Sequence, residues 1–139
     1  SFAPELLQVA RAGDPMKAKH LEKALMQFAE EGAAKIFKPQ LGSGFIVGVV
    51  GALQFEVLAS RIELEYGLPV RFEASQFTSA RWVHGARDKV DAFATANKQH
   101  MAVDNDGDPV YLTRLQWDID RVERDYPDVR LSATKELMV

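Results

Sequence analysis

The chain has 139 residues, 47% hydrophobic and 27% charged, and a net charge of −3 from 17 basic and 20 acidic side chains. That length makes one domain or two small lobes, and burial of roughly two-thirds of the unfolded surface allows a real core without staples. The lack of cysteine excludes disulfides, thiolate metal sites and a thiol nucleophile. No apolar run approaches the ~20 residues of a membrane helix, and the charge balance argues against nucleic-acid binding by bulk charge.

The N-terminus, Ser-Phe-Ala-Pro-Glu, has neither the basic region nor the apolar core of a signal peptide, and the absence of cysteine fits a cytosolic protein or a secreted one without disulfides. There is no initiator methionine and the first residues read as mid-strand, so the chain is expected to be a piece of a longer protein. Phe2 to Val9 reads as an entering edge strand, kept off the sheet centre by Pro4. Asp14-Pro15 is a helix start, with Asp as N-cap and Pro in the first turn. The helix is predicted from Met16 to about Glu31, with Leu21, Ala24, Leu25, Phe28 and Ala29 on one face and Gly32 as its stop. Ala34 to Lys38 reads as a strand, and Pro39 to Gly44 as a hairpin loop.

Residues 44 to 67 organise the rest. Phe45 to Val50 is a short apolar run rich in β-branched residues, the pattern of a strand covered on at least one face. From Ala52 the period becomes helical: Phe55, Leu58, Ala59, Ile62 and Tyr66 form a stripe, which Leu53 and Val57 are predicted to widen, and Gly67 ends it. Pro69 to Ala74 then alternates Val70, Phe72 and Ala74 inward with Arg71 and Glu73 outward. Residues 2 to 76 therefore spell β-α-β-β-α-β, the split βαβ, ferredoxin-like arrangement of an α+β protein, with both helices on one face of an antiparallel sheet.

The remainder reads as a second, smaller α+β lobe, giving predicted units 1–77 and 78–139 packed together. Thr78 to His84 reads as a strand and Asp88 to Asn97 as a short helix with Val90, Phe93 and Ala94 apolar. Met101 to Val103 and Val110 to Leu112 read as strands joined by a turn at Asp-Asn-Asp-Gly-Asp-Pro. Thr113 to Gln116 has the form of a capping box opening a helix with Leu115, Ile119, Val122 and Tyr126 inward. Pro127 ends it, and Val129 to Ala133 is a last strand.

No stretch carries a catalytic constellation. Gly42-Ser43-Gly44 leads into a strand and not a helix, so converging amides are missing and it reads as a hairpin loop. No G-x-x-x-x-G-K-[ST] is present. Asn97-Lys98-Gln99-His100 matches a guanine-reading Asn-Lys-x-Asp only in its first two positions, and reads as a helix end. Asp104, Asp106 and Asp108 alternate like the start of a calcium loop, but Pro109 stands where that loop needs Gly and Leu115 where it needs Glu, so a solvated turn is expected. His20, His84 and His100 share no metal spacing. Trp82 reads as core filler at the lobe junction. Arg71, Arg81, Arg87 and Lys89 read either as salt-bridge partners or as contacts to RNA phosphates.

Val49-Val50-Gly51-Ala52-Leu53-Gln54-Phe55-Glu56-Val57, Glu65-Tyr66-Gly67 and Thr78-Ser79-Ala80-Arg81-Trp82-Val83 together resemble the C-terminal domain of the peptide chain release factor 3 family. Those proteins are the class II GTPases of bacterial translation termination. Phe2-Ala3-Pro4-Glu5, Asp14-Pro15, Glu30-Glu31-Gly32 and Tyr126-Pro127-Asp128-Val129-Arg130 fit the same pattern, and the first lobe is similar to the third domain of elongation factor G.

The resemblance implies a non-catalytic domain, without cofactor or metal, that follows a GTPase domain and a β-barrel domain. GTP or GDP with magnesium would be held upstream. It implies a cytoplasmic protein that docks near ribosomal protein S12 and 16S rRNA of the small subunit, touches no membrane, and promotes recycling of class I release factors. Arg71, Arg81, Arg87 and Lys89 are the candidate ribosome contacts. The rival expectation is a ferredoxin-like regulatory module, which would need a pocket of convergent polar groups for a small molecule.

Overall fold

The computed structural model describes residues 2–135; the outer ends of the two predicted lobes, Ser1 and residues 136–139, lie outside them. Strand β1 (Leu6–Ala12) leads through a 3-10 turn at Pro15–Lys17 into α1 (Ala18–Glu31), then β2 (Lys35–Pro39), β3 (Phe45–Val49), α2 (Leu53–Tyr66) and β4 (Val70–Ala74). These strands are ordered β4-β1-β3-β2 and paired antiparallel throughout. This is the α+β, ferredoxin-like order expected from the sequence.

The Asp14 side chain accepts from the Met16 N–H at 3.0 Å, and α1 ends at Gly32, whose φ of 78° is a left-handed conformation that a Cβ disfavours. Leu21, Ala24, Leu25 and Phe28 of α1 and Phe55, Leu58 and Ile62 of α2 are buried with Ala10, Ile36, Phe45, Val47 and Val49 in one core. Both helices thus cover one face of the sheet.

One expectation is overturned at the start. Residues Phe2 to Glu5 are not strand, apart from a single bridge of Phe2 to Thr134, and β1 begins at Leu6. That strand is no edge: it lies between β4 and β3. Pro4 precedes the ladder, so it withdraws no N–H from it, and the strand is free to occupy an interior position.

The second half adds β5 (Ser79–His84), α3 (Arg87–Ala96), a 3-10 turn at Lys98–His100, β6 (Met101–Val103), β7 (Pro109–Thr113), α4 (Gln116–Asp125) and β8 (Arg130–Ser132). Its strands are ordered β6-β7-β5-β8, and β6 joins β2 through Lys38↔Val103 and Pro39↔Ala102. The eight strands are therefore one hydrogen-bonded series, bent at a short joint. Leu7, Phe37 and Ile46 on the back of the first half share a core with Phe77, Ala80, Trp82, Ala102, Val110 and Leu112 of the second. A third core, of Val83, Phe93, Met101, Tyr111, Val122 and Val129, lies under α3 and α4. The layers run helices, sheet, sheet, helices. This is why every residue of β3 is buried: its alternate side chains enter two different cores.

The helix α4 corrects two further expectations. The N-terminus is capped not by a Thr113–Gln116 box but by Asp118, whose Oδ2 accepts from the N–H groups of Arg114 (2.8 Å) and Leu115 (3.1 Å). Thr113 is instead spent in β7, its carbonyl accepting from the Thr78 N–H at 2.7 Å. Leu115, assigned inward, stands before the helix begins and is 66% exposed.

Candidate interaction surfaces

The four candidate contact residues are spread over the fold. Arg71 lies on β4 at one end of the strand order, with its guanidinium 3.3 Å from Glu73, and Arg81 lies on β5, with five strands between them in that order. Arg81 turns back on its own strand, Nη1 donating to the Ala80 carbonyl at 2.8 Å. Arg87 and Lys89 open α3 on the far helical layer; Lys89 stands 3.7 Å from Asp128, and Arg87 is exposed. Arg87 and Lys89 share α3, but at i and i+2 they project about 200° apart around the helix, and Arg71 lies on a different element, so the four do not converge.

Near Arg71 a shallow groove of about 260 Å³ runs between β1, the start of α1 and the hairpin loop. The loop itself is as expected. Arg11 Nη1 donates to the Ser43 carbonyl (3.2 Å) and Oγ (2.9 Å), and Arg11 Nε pairs with Glu73 at 3.0 Å. Those bonds tie Ser43 to β1 through its carbonyl and hydroxyl, and the segment leads into β3 and not into a helix N-terminus, which does not fit a nucleotide cradle.

The aspartate turn between β6 and β7 is more than a solvated loop. Asp104 is buried, and its Oδ1 accepts from the N–H groups of Asp106 and Asp108, each at 2.9 Å. Its Oδ2 accepts from Trp82 Nε1 at 3.1 Å and from the Lys135 ammonium at 2.8 Å. Lys135 also reaches Asp106 (2.6 Å) and Asp108 (2.8 Å). An ammonium therefore sits among the three carboxylates, which form the one group of three or more acidic or histidine ligands among the described residues. Burial alone would push the Asp104 carboxyl up, but the Lys135 ammonium, the two turn amides and the Trp82 indole outweigh it and hold it below the usual carboxylate range. Burial opposes the charge on Lys135 too, yet its three carboxylates raise its pKa. Trp82 is core, as expected, with its one polar atom spent on this turn. No sequence signal pointed to Lys135, because it lies 31 residues from its main partner.

A cavity of about 220 Å³ adjoins this cluster, lined by Ala29, Lys35, Ile36, Phe37, Asn105 and the groups just named. Its lining comes from both halves of the chain. Its charged groups at Asp104, Asp106 and Lys135 are paired with one another. The histidines do not converge: His20 is exposed, while His100 stacks on Tyr111 with centroids 4.9 Å apart and bonds the Leu112 carbonyl through Nδ1 at 2.8 Å. His84 meets Arg130 through Nδ1, and burial, then that neighbouring guanidinium, lowers its pKa. In the Asn97-Lys98 segment, Asn97 is buried and donates to the Phe93 carbonyl at 2.9 Å, a helix end as expected.

Helix α2 departs most from expectation. The Gln54 side-chain oxygen accepts from the N–H groups of Val50 (2.8 Å) and Gly51 (2.9 Å), which fixes the strand-to-helix turn and the direction in which α2 leaves β3. With that direction set, Phe55, Leu58 and Ile62 face the core. Leu53 and Val57, predicted to widen that stripe, are 73% and 57% exposed, and Leu64 is 83% exposed. At about 100° per residue Leu53, Val57 and Leu64 cluster within roughly 40° of each other, opposite Ile62. The helix is apolar on two opposed faces, and among the described residues only one of them is covered. The core-facing stripe of Phe55, Leu58 and Ile62 is as read from the sequence; what that reading took as its margin, Leu53 and Val57, is a separate outward face.

No helix among the described residues is long and apolar enough to cross a membrane. Compared with known protein families, residues 1–123 match the class II release factor RF3, C-terminal domain. The match takes in the whole first half, the Ala80-Arg81-Trp82 strand, the aspartate turn and most of α4. The chain belongs to the class II release factor RF3 C-terminal domain family.

Proposed function

We propose that this domain is the ribosome-docking arm of a translational GTPase that recycles class I release factors during termination. It performs no chemistry of its own. Membership of the release factor family over residues 1–123 is the observation that carries this reading. In it, a GTPase domain and a β-barrel domain precede the arm in the same cytoplasmic protein. GTP or GDP and magnesium are held upstream, and the arm meets the small subunit near ribosomal protein S12 and 16S rRNA. A bent sheet with a helical layer outside each half makes a stiff body, suited to passing a rearrangement from the nucleotide site to a docking surface. The rival small-molecule module gains no support from the cavity beside Asp104, whose charged groups are largely satisfied internally.

The test is co-sedimentation of the full-length protein with 70S ribosomes, with a non-hydrolysable GTP analogue and with GDP. A parallel sample carries Arg81→Glu and Lys89→Glu. Analogue-dependent pelleting weakened by the double substitution supports the docking arm and its chosen residues. Pelleting that ignores the substitutions retains the docking arm and removes Arg81 and Lys89 from its surface. No nucleotide-dependent pelleting refutes the reading.

A further inference from the structure

Among the described residues the outer face of α2 packs against none of the three cores, and it holds none of the four basic residues discussed above. Leu53, Val57 and Leu64 present their side chains to solvent along about 16 Å of helix. Val50, in the turn leading into α2, is 68% exposed as well. Single exposed apolar side chains are ordinary, but an aligned set on one rigid helix marks an interaction surface.

Charge decides what the surface accepts. Along one flank of the stripe, about two turns apart, run Glu56 and Glu63, both exposed and neither in an ion pair among the described residues. On the other flank Arg61 is not available as a free cation. Its Nη1 lies 2.9 Å from Glu31 and its Nε 2.7 Å from Glu65, and its guanidinium lies over the Phe28 ring at 4.5 Å. The stripe therefore has uncompensated negative charge beside it. RNA phosphates and anionic lipid headgroups are repelled by that flank. A second copy of the chain, docked face to face, would bring Glu56 and Glu63 into a field of the same sign. A polypeptide segment with apolar side chains flanked by lysine or arginine satisfies both features at once.

We propose that the outer face of α2 is a docking site for a basic, amphipathic protein segment, with Leu53, Val57 and Leu64 as the apolar contacts and Glu56 and Glu63 as the charge readers. This goes beyond the ribosomal reading and stands on the surface itself, so a chain that does not pellet with ribosomes would leave it intact.

The experiment is fluorescence anisotropy of the 139-residue chain titrated against two labelled amphipathic helical peptides of about 18 residues, one of leucine and lysine and one of leucine and glutamate. Leu64→Ser and Leu53→Ser should each weaken binding of the lysine peptide about tenfold, as central apolar contacts do. Glu56→Gln with Glu63→Gln should weaken it several-fold at low salt and much less at high salt. Leu115→Ser, at a leucine 66% exposed just before α4, should change nothing. Circular dichroism verifies that each variant is folded, which the exposure of these side chains favours. Equal or tighter binding of the glutamate peptide, no binding of either, or affinity indifferent to the α2 substitutions would overturn the proposal. So would a concentration-dependent dimer in sedimentation velocity that Leu64→Ser abolishes, since the face would then be occupied by a second copy.

Discussion

Gly48 stands in the middle of β3, and a Cβ added there would lie 2.3 Å from Pro4 Cγ, 2.6 Å from Pro4 Cβ and 3.1 Å from Leu7 Cδ2. In an unobstructed strand, Gly48→Ala would stabilise by about 0.5–1 kcal/mol, because glycine has the most backbone freedom to lose on folding. Carbon atoms pack best at about 3.5–4.0 Å, however, and the obstacle is the rigid ring of a buried proline. Overpacking of this kind costs about 1–3 kcal/mol. The clash wins, and the net loss should be about 1–2 kcal/mol, or roughly 0.5–1 M in the urea midpoint for a chain of this size.

The assay is urea unfolding followed by far-ultraviolet circular dichroism in two backgrounds. Pro4→Gly removes both clashing ring carbons and leaves the mobile end of Leu7 to yield, so in that background Gly48→Ala should be neutral or slightly stabilising. The coupling between the two positions should be about 1.5–2.5 kcal/mol, within the range seen for residues in contact. If Gly48→Ala is harmless in the parent chain, or equally harmful in both backgrounds, then the Pro4 ring is not what the missing side chain accommodates.

Two further outcomes separate conformation from packing and fix the sign of a pH dependence. Gly32 has a φ of 78° and open space around it, so Gly32→Ala should cost about 1 kcal/mol through backbone strain alone. Gly51 also has open space but no positive φ, so Gly51→Ala should be neutral or stabilise by about 0.5 kcal/mol in the same unfolding assay. Because the folded-state pKa of Asp104 is depressed, its contribution to stability is complete above the unfolded carboxylate value of about 4 and is lost as pH falls through the lower folded value. Lys135→Met removes the main cause and leaves three carboxylates facing one another. It should lower stability at pH 7 by about 1 kcal/mol after solvent screening. Thermal melts of parent and variant should converge as pH falls through the depressed Asp104 value; a gap that stays constant from pH 7 through the acid limb of the melts would refute the pairing.

The sequence by itself determined the elements whose information is local. Asp14-Pro15 and Gly32 bound α1 because capping and left-handed backbone are properties of a few adjacent residues. The 3.6-residue recurrence of Leu21, Leu25 and Phe28, and of Phe55, Leu58 and Ile62, predicted the buried faces because a helix projects such residues to one side. The order β-α-β-β-α-β then left few topologies, and the ferredoxin-like one was legible.

Tertiary structure alone decided what depends on distant partners. Where β1 pairs is a matter of two neighbours 40 and 60 residues away, so reading Phe2 to Val9 as an edge strand had no local evidence against it. Leu53 and Val57 carry the same hydrophobicity as Phe55 and Leu58; only the Gln54-bonded turn and the position of the sheet behind α2 turn one pair outward. The aspartate turn looked solvated because neither Trp82 nor Lys135 is near it in the chain, and burial of Asp104 exists only once both sheet halves close over a shared core. Local propensity is additive along the chain, whereas burial and charge pairing are set by what the chain folds against. That is why the order of elements was legible in the sequence, while the outward face of α2 and the pairing of Asp104 were not.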